Sequence, residues 1–276
     1  MNLIKETSER SKKLNKGEAK INSFPHSIQL SFEGVAIKNL KVTAVFDRGC
    51  YKGPNLCLEE EETLLKDAIQ NEPHYKIKTE LASTMGVKWY YIIYEYKTEY
   101  SIVLDLEEYK VVKKYPSFLA LGKWLSLFSD SVPLSNYEEN GLPEIDTIMR
   151  KNKYSWPGNM DGLLINNNKI VCVIEYQNTS KKRVADHDNN DYMESSNYRK
   201  GDGRRWLVIK LIEEALKTKT VVIVWSYNEQ VIAIKPIKNY QLNQYNNVSK
   251  IDWQKKVMCN INTLTEEEFL KIVTTE

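Results

Sequence analysis

The chain has four cysteines, Cys50, Cys57, Cys172 and Cys259, and no two of them form a CxxC pair. That excludes a thiolate zinc site or a disulfide framework of recognisable spacing, and leaves Cys172, within an apolar run, as a buried free thiol. No apolar run is long enough to span a bilayer, and residues 1–20 are polar and charged, unlike a secretory leader. A cytoplasmic protein with no membrane partner is therefore expected. An excess of one charge sign is also lacking: the formal net charge is +2, so any surface for nucleic acid must be a local patch. Neither an internal repeat nor a low-complexity linker is legible.

What is present is an ordinary globular composition, 42% hydrophobic and 28% charged, in 276 residues. That length builds one large domain or two modest ones. The turn signals between Ser129 and Leu142, with Pro133 and Gly141, suggest a division into residues 1–130 and 131–276. In the first part, Ile28–Phe32 and Leu40–Phe46 alternate as strands and Leu58–Ile69 has leucines at helical spacing. Val87–Tyr96 and Ser101–Leu106 suggest a hairpin, and a helix begins at Pro116. This N-terminal α+β region carries no catalytic constellation; target recognition is its expected role. Its Trp89-Tyr90-Tyr91 run reads as packing.

The second part is richer in chemistry. Gly162–Ile165 and Lys169–Gln177 read as two strands joined by a tight turn at Asn166-Asn167-Asn168. Alternation puts Val171, Val173, Glu175 and Gln177 on one face, and Ile170, Cys172, Ile174 and Tyr176 on the other. An acid at the end of a buried strand is costly unless its charge is paired. Asp161 and Glu175 together suit a hard cation such as Mg²⁺, with Mn²⁺ as a substitute, because one or two carboxylates and several waters suffice for it. The bland alternative places Glu175 at a solvated strand end and Asp161 in a turn with Gly162.

Around this pair lie a helix opening at Pro143-Glu144, a helix from Arg204 to Lys217, and strands at Thr220–Tyr227 and Gln230–Lys235. A helix between two strands is the crossover of a βαβ unit. Over roughly Leu142 to Ile237 this order, with Asp161 on one strand and Glu175-Tyr176-Gln177 on the next, resembles the core of the PD-(D/E)XK nuclease superfamily, which includes many type II restriction endonucleases. The resemblance implies an α/β fold: a restriction endonuclease-like core with a central mixed sheet flanked by helices. It implies a Mg²⁺-dependent DNA endonuclease in which Asp161, Glu175 and the carbonyl of Tyr176 bind the metal. Glu144, or less favourably Asp146, would assist from the preceding helix, and two chains would pair as a homodimer. The superfamily's usual Lys is Gln177 here, which can orient a water but carries no charge. Lys181, Lys182 or Lys210 would supply the missing cation.

Between Asn178 and Gly203 runs a long polar segment ending in Tyr198-Arg199-Lys200-Gly201-Asp202-Gly203-Arg204-Arg205-Trp206. Arg199, Lys200, Arg204 and Arg205 at a helix start suit phosphate contacts. They oppose the helix dipole, which calls for a bound anion or an acidic partner such as Asp202. Lys181-Lys182-Arg183 reads equally as a solvated turn, and His187, between two aspartates, as a solvated side chain. Thr265 and Glu268 form a capping box for a C-terminal helix. Two rival readings stay open: a nuclease fold that binds nucleic acid without chemistry, and an unrelated α/β interaction protein.

Overall fold

The computed structural model describes residues 2–5, 15–130, 144–180, 182–192 and 203–275. In chain order the elements begin β1 (Leu3–Ile4), α1 (Lys16–Asn22), β2 (Ser27–Lys38), β3 (Lys41–Tyr51), α2 (Glu61–Asn71), α3 (Tyr75–Thr84), β4 (Lys88–Tyr94), β5 (Ser101–Asp105), β6 (Lys110–Tyr115) and α4 (Phe118–Leu125). They continue α5 (Glu144–Lys151), β7 (Gly158–Asn166), β8 (Lys169–Asn178), α6 (Gly203–Leu216), β9 (Lys219–Trp225), β10 (Val231–Leu242), β11 (Val248–Trp253), β12 (Val257–Asn260) and α7 (Glu266–Thr274). Parallel and antiparallel pairings both occur, so the chain is a mixed α/β protein. None of the described helices is long and apolar enough to cross a membrane.

The chain forms two compact units. Unit 1 is Met1–Lys12 with Phe32–Asn159, and unit 2 is Lys13–Ser31 with Met160–Glu276. A single cut at residues 130/131 does not coincide with these units, because each takes a segment from the other half of the sequence. α1 counts with unit 2, and α5 with unit 1.

In unit 2 the strand order is β11-β10-β9-β8-β7, with β12 also on β10. β7 and β8 form the expected hairpin. Asn167 (φ 47°) and Asn168 (φ 61°) are both left-handed, as a two-residue type I′ turn requires. β8 then runs parallel to β9, a pairing that needs a crossover, and α6 supplies it. One face of the sheet, with Leu164, Cys172, Ile174, Tyr176, Val221 and Ile223, packs on Ile21 of α1 and on Phe269 and Val273 of α7. Cys172 is fully buried, and burial pushes its thiol pKa up. The capping box of α7 forms as expected: Thr265 Oγ1 accepts from the Glu268 N–H and the Glu268 carboxylate accepts from the Thr265 N–H.

In unit 1 the order is β2-β3-β4-β5-β6, with β1 on the edge of β3. β2 and β3 are an antiparallel hairpin, β3 and β4 are parallel across α2 and α3, and β5 and β6 follow antiparallel. Ala36, Ala44, Phe46, Ile92 and Val103 pack on Phe118 and Leu121 of α4 and Ile145 and Met149 of α5. Tyr90 joins this packing through Phe46 and Trp124, while Trp89 and Tyr91 are buried, so the Trp-Tyr-Tyr run is indeed structural. Hairpin, helical crossover, parallel strand, antiparallel strand is also the sequence of events in unit 2. The two units thus share an order of elements that no repeat legible in the sequence announces. Few residues are shared, since packed cores tolerate exchanges such as Ala44 for Cys172 when the pattern is kept.

Candidate metal centre on unit 2

The β7–β8 register pairs Gly162 with Ile174, so one step along the ladder Asp161 lies opposite Glu175. Both point to the face opposite the α1/α7 core, because Ile174 and Tyr176 point into that core. The Tyr176 N–H donates to Asp161 Oδ2 at 3.1 Å and fixes that carboxylate at the strand end. Glu175 is 0% exposed, which corrects the bland alternative of a solvated strand terminus. Gln177, two residues on and on the same face, donates its Nε2 to Glu175 Oε1 at 2.8 Å.

Arg205, in the first turn of α6, completes the group. Its Nη2 pairs with Glu175 Oε1 and lies 3.3 Å from Asp161 Oδ2. Two carboxylates thus answer the dipole penalty of a cation at a helix N-terminus. Asp202, the partner expected from sequence, lies outside the described residues. Burial holds the Glu175 carboxyl well above the usual carboxylate range; Arg205 pulls it down and Asp161 pushes it further up. Glu175 Oε2 has no hydrogen-bond partner among the described residues.

A third acid, on α1, feels the charge of Asp161. Gly17 faces Tyr176 and Ile223 so closely that an added Cβ would lie 3.3 Å from the one and 3.0 Å from the other, which lets the helix come down onto β8 and β9. Glu18 follows it, capped through Asn15, whose Oδ1 accepts from the Glu18 N–H at 3.1 Å. Burial and then the charge of Asp161 raise its pKa. Sequence reasoning missed Glu18, because the helix next to the strands in the sequence is α5. Glu144 itself is exposed on α5 in unit 1.

The other expected site residues are distributed as follows. Tyr176 is buried, and its hydroxyl donates to Gln29 at 2.5 Å. Lys210 pairs with Glu214 one turn along α6, and Lys182 with Asp191 at 2.5 Å. Arg204 is half-buried in the first turn of α6. Lys181, Arg199 and Lys200 lie outside the described residues. His187 is only 5% exposed, contrary to the solvated reading. Its segment is clamped to β10 and β11: Lys235 Nζ donates to Asn189 Oδ1 at 3.0 Å, and Asn190 exchanges two hydrogen bonds with the Ile251 backbone. Burial and the nearby Lys235 lower the His187 pKa.

The donor set fits a hard divalent cation in part. Two carboxylates, one with a buried oxygen lacking a partner, match the sparse protein coordination of Mg²⁺, whose remaining positions water fills. Among the described residues no group of three or more His, Cys, Asp or Glu closes around one point, so the protein would supply no full cage. Arg205 now provides the positive charge, and it would have to share or yield its place.

No family model matches the chain, and no curated protein matches it. One solved structure, the crystal structure of the sex pheromone staph-cAM373 precursor, aligns with 91% of this chain and 83% of its own at 9% identity and a TM-score of 0.17. A likeness at that level carries no argument about fold or function.

Proposed function

We propose that the chain is a Mg²⁺-dependent DNA endonuclease of the PD-(D/E)XK type, with its centre at Asp161 and Glu175. The observation that carries this reading is the fully buried Glu175, facing Asp161 and keeping one carboxylate oxygen without a partner. A protein retains such a costly arrangement most readily where a ligand completes it. Asp161, Glu175 and the Tyr176 carbonyl would hold the metal, and Mn²⁺ would substitute for Mg²⁺. When bound, the ion would acidify a water and stabilise charge on a phosphate oxygen. Gln177, oriented by its bond to Glu175, can accept a hydrogen bond from that water through its amide oxygen. Arg205 and Arg204, at the N-terminus of α6, would take phosphate oxygens once the carboxylates are occupied. Lys181, Lys182, Arg199, Lys200 and Lys210 remain proposed contributors to phosphate binding.

A second reading is favoured by one observation. Arg205 already bridges both carboxylates, as it would in a binding module that has lost its chemistry. Cleavage of linear and circular DNA with Mg²⁺, Mn²⁺ or chelator separates the two. Glu175→Gln and Asp161→Asn should each abolish metal-dependent fragments while leaving salt-sensitive DNA binding intact. Binding without cleavage by the unaltered chain would select the inactive module. Neither activity would select the interaction protein.

A further inference from the structure

Residues 32–49 and 160–177 align without a gap. Gly34 and Gly162, Ile37 and Ile165, Asn39 and Asn167, Lys41 and Lys169, and Val45 and Val173 are identical pairs, each 128 residues apart. The geometry agrees more closely than the letters. Both hairpins turn on two residues of positive φ, Asn39-Leu40 and Asn167-Asn168. Both shift register at the same place: Ala36↔Ala44 gives way to Ile37↔Val42, and Leu164↔Cys172 to Ile165↔Ile170. A bulge is a built feature that sequence drift preserves, so its recurrence beside the same turn is specific. The preceding helices match at the same offset. Ile21 of α1 and Met149 of α5 are both buried, each in the core of the unit its helix joins.

On this alignment Glu33 corresponds to Asp161, Asp47 to Glu175 and Gly49 to Gln177. We infer that the chain is an internal duplication, and that unit 1 is a copy whose acid pair is closed by its own cations, binds no metal and does no chemistry. The contrast with unit 2 rests on the metal reading of Glu175; the closure of unit 1 stands on its own geometry.

Asp47 is fully buried and saturated. Its Oδ1 accepts from the Glu33 N–H at 3.2 Å, and its Oδ2 from Trp89 Nε1 at 2.9 Å and Lys78 Nζ at 2.7 Å. Lys78, 2% exposed, also bonds Glu72 at 2.9 Å, which in turn takes Lys5 at 2.6 Å. Glu33 is held by Arg48 Nε at 2.9 Å, and the same guanidinium grips Asp146 of α5 at 2.6 and 3.2 Å while stacking on Trp156. At Gly49 an added Cβ would come 2.5 Å from Tyr91 Oη, so no side chain equivalent to Gln177 fits without a shift. Glu175 Oε2, by contrast, has no hydrogen-bond donor among the described residues, although Arg205 holds the other oxygen of that carboxylate.

Mn²⁺ titration of the full chain, followed by electron paramagnetic resonance, together with thermal unfolding, tests the assignment. One Mn²⁺ per chain is expected, weakened at least tenfold by Glu175→Gln and changed less than twofold by Asp47→Asn. Asp47→Asn should lower Tm by about 10 °C, since it strands a buried lysine, and Glu175→Gln should lower it far less, since Arg205 is one-third exposed and keeps Asp161 as a partner. Should Asp47→Asn fail to fold, the double variant Asp47→Asn/Lys78→Met removes both charges and should fold with its single Mn²⁺ site retained. A second Mn²⁺ per chain, loss of the one site on Asp47→Asn, or an unchanged Tm in that variant would overturn the inference. Absence of any Mn²⁺ binding would sink the metal reading of unit 2, and the Tm comparison would still decide the closure of unit 1.

Discussion

Arg205 holds together two carboxylates that would otherwise repel each other across adjacent strands, one of them fully buried. Removing one member of a buried ion pair strands the other. In Arg205→Ala the Glu175 carboxyl, already raised by burial, would rise further and keep its proton to higher pH. The unfolded chain ionises Glu175 in the ordinary carboxylate range, so both proteins lose stability as pH rises above that range, and the variant falls further behind once the unaltered Glu175 ionises within the fold. Urea unfolding at pH 4 and pH 8 should show almost no deficit at the lower pH and about 3 kcal/mol at the higher. Added Mg²⁺ should restore part of that deficit if the pair accepts metal. At this scale the sequence reveals Asp161, Glu175 and Gln177, because strand alternation is a local rule and all three obey it. It reveals that Arg205 needs an anionic partner, since a cation at a helix start is electrostatically exposed. It does not reveal Glu18, whose coupling to Asp161 closes a loop of more than a hundred residues, nor the pairing of Lys78 with Asp47.

Elements with strong local chemistry are the legible ones. The Asn-rich turn, the alternation of β8 and the Thr265–Glu268 box each satisfy a short-range requirement, and each forms. α3, β6, β11 and β12 escape notice; β6 and β12 are half-exposed, short and flanked by weak turn signals. The first hairpin shows the limit. Leu40 reads as the first residue of a strand, yet it occupies the second turn position at φ 59° and is 40% exposed. The left-handed conformation costs a branched, bulky residue more than it costs asparagine, which stands at the matching place, Asn168. Leu40→Asn should therefore stabilise the chain by about 0.5 to 1 kcal/mol, read as a higher denaturant midpoint at unchanged slope. A destabilised variant would mean that Leu40 contributes packing beyond its turn.

At the scale of the whole chain, the exchange of helices between sequence halves is not readable from the sequence, because it depends on which distant segments pack together, and the repeat escapes notice because only scattered residues at one offset remain identical. The repeat changes what the proposed activity should look like. Two open centres in one chain could each cut a strand within a single encounter, and a homodimer with one open centre per chain could do the same. On the proposed reading, a lone chain with unit 1 closed would have one centre and make one cut. At concentrations where sedimentation shows single chains, supercoiled plasmid should pass almost entirely to the open circle before linear product forms. The rate of linearisation should then rise more steeply than in proportion to protein concentration, because the second cut needs a second chain. Linear product that appears without an open-circle intermediate at those dilutions would require a second active centre within the chain. The Asp47→Asn variant then decides whether that centre is unit 1, since closure by Lys78 predicts no change in the ratio of nicked to linear product.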